Sequence, residues 1–491
     1  MTGLPPRIHP LVRSFLDDGA APAGLLARWG SPLNVLLPEI FAANVAAFRD
    51  ELDASGLRYR ICYAHKANQG RAFVHAALAA GIGIDVASPD ELRSALAAGF
   101  PASLIEATGP KGRGFLGVLV GSGVTINVDN LWELAQITDL AQAGADPGSS
   151  RVPVLVRLCG FGSANPGSRR PSRFGVPVTR FQGIIDLLLA ARGTVDFLGL
   201  SFHLDSGEVA DRALAVDECL RLLERAWASG LSPRILDVGG GFRQAFADRP
   251  EPFEAYARAV KRGLAGQGQP LTWGGTTLGY RYEDGAIRGA LVSGKYAGSV
   301  EGPVFMREMA ASPLPGQDGR SVARVLRENM IELWLEPGKS LVDHAGLTLA
   351  SVEFVKEASD GSVLVNLDIS RDKVCPADQE VMLDPVIIYR SQAPNPGGPP
   401  TGVFFAGNLC LERDMIFNHL TFVDRIPAPG DIVAFINTAG YQMDLSASAA
   451  LMQRQPVKAV IRATAGGFAA RADTDDQDEE SDICSTSTSP S

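Results

Sequence analysis

Short apolar runs alternate with segments of helical periodicity between residues 58 and 336, and this alternation limits the folds open to the chain. Such an order is typical of βα units whose strands join a parallel sheet. Eight strands are predicted, at residues 59–64, 82–87, 103–107, 124–128, 152–158, 195–202, 234–238 and 331–335. Eight strands with helices between them indicate an α/β fold of the (β/α)8 barrel type, which carries its functional residues just after the carboxyl ends of the strands.

Residues capable of chemistry follow four of these strands. Lys66 follows the first strand, His203 ends the sixth, three glycines at 239–241 follow the seventh, and Glu336 follows the eighth. A partly desolvated lysine can condense with a carbonyl group because its pKa is lowered. Successive glycines expose backbone N–H groups that can bind a phosphate, although a tight turn would use the same residues.

The pattern changes after residue 341 to short apolar runs without long helices, which predicts a second, mostly β domain. We expect an N-terminal segment (1–38) that pairs with the β domain, a barrel (39–340) with an insertion at about 265–325, the β domain (341–466) and a disordered acidic tail (467–491). The tail is expected to be disordered because low hydrophobicity is combined there with like charges.

Composition and charge argue against several classes of protein. A formal net charge of −10 disfavours a nucleic-acid partner, which would need a basic surface. No apolar run reaches the roughly 18 residues that a membrane span requires, and the N-terminus shows no secretory signal, so a cytoplasmic protein without membrane contact is expected. The 6 cysteines lack CxxC spacing and indicate neither a disulfide framework nor a metal site.

Several motifs, in order along the chain, resemble those of the fold-type III decarboxylases that depend on pyridoxal 5′-phosphate (PLP), the diaminopimelate, ornithine and arginine decarboxylase group. They are Tyr63-Ala64-His65-Lys66-Ala67-Asn68, Asp85-Val86-Ala87-Ser88-Pro89-Asp90-Glu91-Leu92, Ser172-Arg173-Phe174-Gly175, Phe202-His203-Leu204-Asp205-Ser206-Gly207, Asp237-Val238-Gly239-Gly240-Gly241-Phe242, Glu336-Pro337-Gly338-Lys339 and Gly407-Asn408-Leu409-Cys410-Leu411-Glu412-Arg413-Asp414. The resemblance extends from residue 30 to about residue 462, and it implies a barrel followed by a β domain, as in alanine racemase.

The resemblance also implies roles for individual residues. Lys66 would bind PLP as a Schiff base, and His203 would stack on the cofactor ring. Glu336 would keep the pyridine nitrogen protonated, so that the ring accepts electrons when a bond to Cα breaks; this favours decarboxylation over racemisation. Cys410 would protonate the product in the partner subunit's site. The residues implied to bind the cofactor are Lys66, Asp85, Arg157, His203, Ser206, Gly239, Gly240, Gly241, Glu336, Gly338, Lys339 and Tyr441.

Departures from the family pattern concern mainly the substrate. Leu411 follows the cysteine where diaminopimelate and ornithine enzymes carry an acid, and Lys339 replaces an arginine. Asp205, near the expected phosphate, stands where the family has glycine. Candidate substrate-binding residues are Glu412, Asp414 and Tyr389. We therefore expect a decarboxylase of a non-standard or diamino acid, acting as a homodimer with shared active sites.

The sequence leaves two other functions open. One is an epimerase or β-eliminating enzyme that uses the same cofactor chemistry. The other is a non-catalytic regulator that resembles the decarboxylases. Retention of Lys66, His203, Glu336 and Cys410 together favours an enzyme.

Overall fold

A computed structural model describes residues 3–144, 150–164, 171–376, 379–391, 397–474 and 481–482 of the chain. Its α-helices are α1 (Pro10–Asp17), α2 (Ala20–Trp29), α3 (Pro38–Ala54), α4 (Arg71–Ala79), α5 (Pro89–Ala97), α6 (Arg113–Ser122), α7 (Leu131–Ala143), α8 (Phe181–Ala190), α9 (Val209–Ala228), α10 (Glu251–Leu264), α11 (Gly302–Ala311) and α12 (Val322–Glu328). None of the described helices is both long enough and apolar enough to cross a bilayer.

The first strands are β1 (Leu33–Leu36), β2 (Tyr59–Ala64), β3 (Gly83–Val86), β4 (Ile105–Ala107), β5 (Thr125–Val128), β6 (Val152–Cys159), β7 (Val176–Pro177), β8 (Val195–Phe202), β9 (Ile235–Asp237), β10 (Tyr280–Glu283), β11 (Ala286–Gly289) and β12 (Glu332–Leu335). The later strands are β13 (Gly346–Glu357), β14 (Val363–Leu367), β15 (Val386–Ile388), β16 (Thr401–Ala406), β17 (Thr421–Val423), β18 (Ile432–Ile436), β19 (Val457–Thr464), β20 (Gly467–Ala472) and β21 (Ser481–Asp482).

Two compact units divide the chain. The barrel unit consists of Ala42–Arg243 and Glu301–Leu341, and the β unit of Met1–Phe41, Gln244–Val300 and Val342–Ser491. The predicted combination of a (β/α)8 barrel and a mostly β domain is confirmed.

Eight parallel strands form the barrel. They pair in the order β5-β4-β3-β2-β12-β9-β8-β6, and an additional pairing of β5 with β6 closes the sheet. Every residue of β3, β4, β5 and β9 is buried, as expected for parallel strands that helices cover on the outside. The barrel therefore brings side chains from distant parts of the sequence into one interior.

Side-chain caps fix where two of the outer helices begin. Ser88 accepts a hydrogen bond of 3.2 Å from the backbone N–H of Glu91 at the start of α5, while the Glu91 carboxylate accepts one of 2.6 Å from Ala87. Asn130 caps α7 in the same way by accepting 2.9 Å from Glu133. Such caps satisfy N–H groups that have no partner within the helix.

The sheet of the β unit is built around the long strand β13. Its first half lies between β1 and β18, and its second half pairs with β14 beyond a bulge between Val352 and Phe354. β1 also pairs in parallel with β19, so the N-terminal strand is an interior strand of this sheet. β10 and β11 form a separate hairpin.

Two expected boundaries differ from the structure. Residues 244–300 cluster with the β unit, whereas α11 and α12 cluster with the barrel, so residues 265–325 are divided between the two units. The disordered tail expected from 467 cannot begin there, because β20 pairs with β19 and buries Phe468, Ala469 and Ala470. Residues 475–480 and 483–491 of the expected tail lie outside the described residues.

Gly199 in β8 is required by close packing inside the barrel wall. A Cβ atom at this position would lie 1.8 Å from the carbonyl oxygen of Ile235 in β9. We expect Gly199→Ala to lower the free energy of unfolding by about 3 kcal/mol, because the strands must move apart. Chemical denaturation would measure the change. Gly183→Ala in α8 is the matched control, since a Cβ there meets no atom within 4 Å and should stabilise by up to about 1 kcal/mol. Equal effects of the two substitutions would contradict the prediction.

Candidate active site

Lys66 lies in a short turn, His65–Ala67, directly after β2. Its Nζ atom lies 2.6 Å from Oδ2 of Asp85 in β3, and the Asp85 side chain has no exposed surface. Thr108 donates a hydrogen bond of 2.7 Å to the other oxygen of Asp85 and so fixes the carboxylate. The Lys66 side chain is 36% exposed. Its amine is therefore accessible to a carbonyl group although Asp85 holds it.

Three buried acids meet inside the barrel. Glu106 in β4, Asp237 in β9 and Glu336 after β12 each place a carboxylate oxygen within 4.8 Å of the others. The amide of Asn127 donates hydrogen bonds of 2.9 Å to Glu106 and 3.4 Å to Glu336. The Ser201 hydroxyl in turn donates a hydrogen bond of 2.6 Å to the side-chain oxygen Oδ1 of Asn127, which orients that amide.

These three acids retain protons more strongly than ordinary carboxyl groups. Burial, followed by repulsion from the neighbouring acids, raises the pKa of Glu106, of Asp237 and of Glu336 well above the usual range. Carboxylates in such a group could also bind a cation, but hard cations need six or more oxygen ligands. The N–H donor of Asn127 points at two of the acids instead. The arrangement therefore favours shared protons over a bound metal.

His203 lies directly after β8 and contacts the glycine loop. Its Nδ1 atom accepts a hydrogen bond of 3.1 Å from the backbone N–H of Gly240. Desolvation, together with the positive charges of Lys66 and Arg157, lowers the pKa of His203 well below its usual value. The imidazole is therefore neutral at physiological pH. Gly240 is required here because a Cβ atom would lie 2.5 Å from the carbonyl oxygen of Glu336.

The loops after β8 and β9 have the properties of an anion site. Gly239 and Gly241 adopt φ values of +68° and +76°, which favour glycine. The side chain of Lys339 lies beside the loop after β8, with its Nζ atom 3.2 Å from an oxygen of Asp205. Ser206 is exposed, and its hydroxyl accepts a hydrogen bond of 3.2 Å from Glu208.

Gly338 and Arg157 have contacts within the barrel unit. A Cβ atom on Gly338 would lie 2.9 Å from Cβ of Ala67 and 3.1 Å from Cβ of Ala64, so this glycine lets the turn after β12 pack against the turn that carries Lys66. Arg157 in β6 places its guanidinium 4.8 Å from the centre of the Phe174 ring.

Asp414 lies in the β unit and holds the loop that carries Cys410. One of its oxygens accepts a hydrogen bond of 2.8 Å from the backbone of Arg371, and the other accepts 2.7 Å from Leu409. The side chain is buried, whereas Cys410 and Glu412 are exposed. Asp414 therefore stabilises the loop through its backbone contacts, and its role in substrate binding stays a prediction.

The two tyrosines also lie in the β unit. The Tyr389 hydroxyl donates a hydrogen bond of 2.6 Å to the carbonyl oxygen of Arg425, whose guanidinium lies 3.9 Å from the ring centre. Tyr441 follows β18 in a turn, with a φ of +74° that few residues other than glycine adopt. The Tyr389 hydroxyl is thus engaged within its own unit.

The expected site residues divide between the two units, and Tyr389, Cys410, Glu412, Asp414 and Tyr441 lie in the β unit. Lys66, Asp85, His203, Glu336 and the glycine loop form one set in the barrel unit. Sequence patterns did not single out Glu106 as a site residue, although an acid between apolar residues of a parallel strand is an available signal. In the sequence, Asp237 stands out only as the first residue of the motif that contains Gly239, Gly240 and Gly241.

The barrel set fits PLP by its chemistry. An accessible amine suits the aldehyde, an acid that retains a proton suits the pyridine nitrogen, and a glycine-rich loop with a neighbouring lysine suits the phosphate. The neutral ring of His203 adjoins the same loop.

Comparison with known proteins agrees with this geometry. The family model of the pyridoxal-dependent decarboxylases, pyridoxal binding domain, matches residues 40–270. An uncharacterized protein, y4yA, of Sinorhizobium fredii is 31% identical over 453 residues, which are 90% of each chain. The diaminopimelate decarboxylase of Bacillus subtilis is 25% identical over 87% of this chain and 86% of its own.

Solved structures show the same fold. The diaminopimelate decarboxylase of M. jannaschii, in complex with L-lysine, has a TM-score of 0.65 at 20% identity and covers 94% of this chain and 92% of its own. The lysine/ornithine decarboxylase of Vibrio vulnificus, in complex with putrescine, has a TM-score of 0.63 at 18% identity, with 90% and 98% coverage. Motifs, fold and matches together establish that the chain belongs to the pyridoxal-dependent decarboxylase family of fold type III, whose cofactor is PLP.

Proposed function

We propose that this chain removes the α-carboxyl group of a non-standard or diamino acid. The observation that carries the proposal is the acid cluster at Glu336, close enough to Lys66 for the lysine charge to act on it. PLP, when bound, accepts the electron pair left on Cα after CO2 departs. A carboxyl group here can share a proton with the pyridine nitrogen and, as the carboxylate, stabilise the protonated ring, which a basic residue could not do.

Lys66 is the residue that we assign to the covalent link with the cofactor. Asp85 holds its amine at 2.6 Å, and Thr108 keeps the Asp85 carboxylate in a single orientation. This arrangement positions the amine before a carbonyl arrives, which lowers the entropic cost of the reaction. His203 is assigned to the face of the cofactor ring, because its neutral imidazole adds no charge there.

Glu336 is assigned to the pyridine nitrogen, with Glu106 and Asp237 acting through it. The short separations among the three acids mean that ionising one of them makes ionisation of the next less favourable. The cluster thus retains at least one proton, which its three carboxyl groups share. The other proposed cofactor ligands are Arg157, Ser206, Gly338, Lys339 and Tyr441.

Cys410 is the proposed acid that returns a proton to Cα. Its thiol is exposed on a loop whose backbone is fixed by Asp414. We propose a homodimer in which this loop of one chain serves the site of the other, as the family resemblance implies. An exposed thiol on a fixed loop is consistent with such a shared site.

The proposed substrate carries an amine at its far end. Related proteins are named for diaminopimelate, lysine or ornithine, and two were solved with L-lysine or putrescine. Leu411 cannot pair with an ammonium group, and the carboxylate of Asp414 is engaged by the backbone. Glu412 is the exposed acid on this loop, so we assign recognition of the distal amine to Glu412.

Lys66→Ala should abolish both the visible absorbance of bound PLP and the release of CO2, because no other residue is assigned to the covalent link. Absorbance spectra and CO2 detection over a panel of amino acids measure these two effects. Lys356→Ala, which changes an exposed lysine of the β unit, is the control and should keep both. Cofactor binding without CO2 release from any amino acid would overturn the proposed reaction. Rapid CO2 release from meso-diaminopimelate would overturn the non-standard substrate.

Glu106→Gln should make the stability of the apo protein less sensitive to alkaline pH. A buried acid with a raised pKa stabilises the fold fully below its unfolded pKa of about 4.3, and this stability is lost as pH rises through the folded pKa. Glutamine removes that loss, which amounts to up to about 1.4 kcal/mol per pH unit. Denaturation between pH 5 and pH 8 measures the slope, with the exposed Glu353→Gln as control. Parallel profiles for the wild type and Glu106→Gln would contradict the retained proton.

Glu412→Gln and Asp414→Asn should separate recognition from loop structure. Glu412→Gln should raise KM about tenfold or more for substrates with a distal amine and leave the melting temperature unchanged, because a charged hydrogen bond is lost. Asp414→Asn should lower kcat for every substrate and lower the melting temperature, because two backbone donors lose a charged acceptor. Steady-state kinetics and thermal unfolding measure both. A selective KM effect in Asp414→Asn would support its predicted role in substrate binding.

A further inference from the structure

Arg212 in α9 is a charged side chain without exposed surface, and it lies behind the glycine loop. Its Nη1 atom donates a hydrogen bond of 3.0 Å to the carbonyl oxygen of Val238, and Nη2 donates 2.8 Å to that of Leu204. Nη2 also donates to the carbonyl oxygen of Gly240. One guanidinium therefore binds both loops that follow β8 and β9.

These contacts set the direction of the peptide groups. In a trans peptide the C=O of one residue and the N–H of the next point in opposite directions. Since the carbonyls of Leu204 and Gly240 point at Arg212, the N–H groups of Asp205 and Gly241 point away from it. Neither N–H has a protein acceptor among the residues that the structure describes.

Gly239 and Gly240 behave differently from these two residues. The N–H of Gly239 donates 2.8 Å to the Asp237 side chain, and that of Gly240 donates to His203. In the glycine loop, the N–H groups of Gly239 and Gly240 are therefore used in internal contacts, whereas the N–H of Gly241 faces away from Arg212. An anion on that side would find the N–H groups of Asp205 and Gly241 already oriented.

The charge of Arg212 is also not matched by an ion pair within the described residues. Burial lowers its pKa to about 10, so the guanidinium stays charged at neutral pH. The nearest acids that act on it are Asp205 and Asp237, through space only. The rings of Phe242 and Phe305 lie 4.9 Å and 5.5 Å from its central carbon. A buried cation with only carbonyl and ring partners is costly unless an anion lies nearby.

The two loops and the Arg212 guanidinium pack closely around Gly241. A Cβ atom on Gly241 would lie 2.5 Å from the Leu204 carbonyl oxygen and 2.9 Å from Nη2 of Arg212. The two loops and the guanidinium are thus in direct contact, and movement of Arg212 would move both loops.

We propose that Arg212 is a positioning residue for the cofactor phosphate. It orients the N–H groups of Asp205 and Gly241 toward the phosphate, and its charge offsets the Asp205 carboxylate, which pairs with Lys339 at 3.2 Å. The proposal rests on PLP as the cofactor and does not depend on the substrate. Arg212 acts through the loops, so it is distinct from the residues assigned to direct contact.

The test compares PLP with pyridoxal, which lacks the phosphate but has the same aldehyde. Titrations followed by visible absorbance give Kd for both ligands with the wild type, Arg212→Met and Arg212→Lys. Arg212→Met should weaken PLP about 10- to 100-fold, as expected when a charged hydrogen-bond donor is lost, and leave pyridoxal unchanged. Arg212→Lys keeps the charge but lacks the planar guanidinium whose two Nη atoms reach both loops, so PLP should weaken about tenfold. Arg225→Met, an exposed change in the same helix, should alter neither Kd.

A second measurement uses inorganic phosphate and needs no covalent link. Phosphate should raise the melting temperature of the wild-type apo protein and of Arg225→Met, but not that of Arg212→Met. If Arg212→Met does not fold, the ratio of the PLP Kd to the pyridoxal Kd in Arg212→Lys is compared with the same ratio in the wild type. Equal weakening of PLP and pyridoxal, or an unchanged ratio, would overturn the proposal. Failure of the wild type to release CO2 while it binds PLP would overturn only the proposed reaction.

Discussion

Pairing between β5 and β6 closes the barrel, and the chemistry of the site depends on this closure. An open sheet would leave β4, β9 and β12 with side chains facing different surroundings. In the closed barrel, an acid from each of these elements or the loop that follows meets the other two within 4.8 Å. The same closure puts the loops after β8 and β9 side by side, where one arginine can bind both.

Electrostatics within the closed interior then determine how protons are held. Two unit charges 4 Å apart repel by about 4 kcal/mol at an effective dielectric constant of 20, which corresponds to roughly three pKa units. Three ionised acids in this space are therefore excluded at neutral pH. Asn127 donates to two of the acids and cannot neutralise them, so protons must remain. Burial, together with nearby positive charges, disfavours the protonated form of His203 and lowers its pKa, so its imidazole is neutral.

Much of the architecture could be predicted from the sequence because strands in a closed parallel barrel have a strong local signal. All eight barrel strands appear within a few residues of their expected positions, and Lys66 and Glu336 follow the strands as expected. Glu106, Asp237 and Arg212 were not assigned roles, since their importance comes from burial and from neighbours distant in sequence. The backbone contacts of Asp414 could not be predicted either, because a motif shows which residue is present but not what its oxygens bind. The tail boundary was misplaced because Phe468 to Ala470 gain their partners only through β19.

The position of β1 has a consequence for synthesis of the chain. Its parallel partner β19 and its other neighbour β13 both follow the barrel strands in the chain and are synthesised after them. An apolar strand made early must therefore wait, with both hydrogen-bonding edges unpaired, until β13 and β19 have left the ribosome. Such distant pairings slow folding and expose edges that can aggregate. The nascent protein should depend on chaperones far more than the finished fold would suggest.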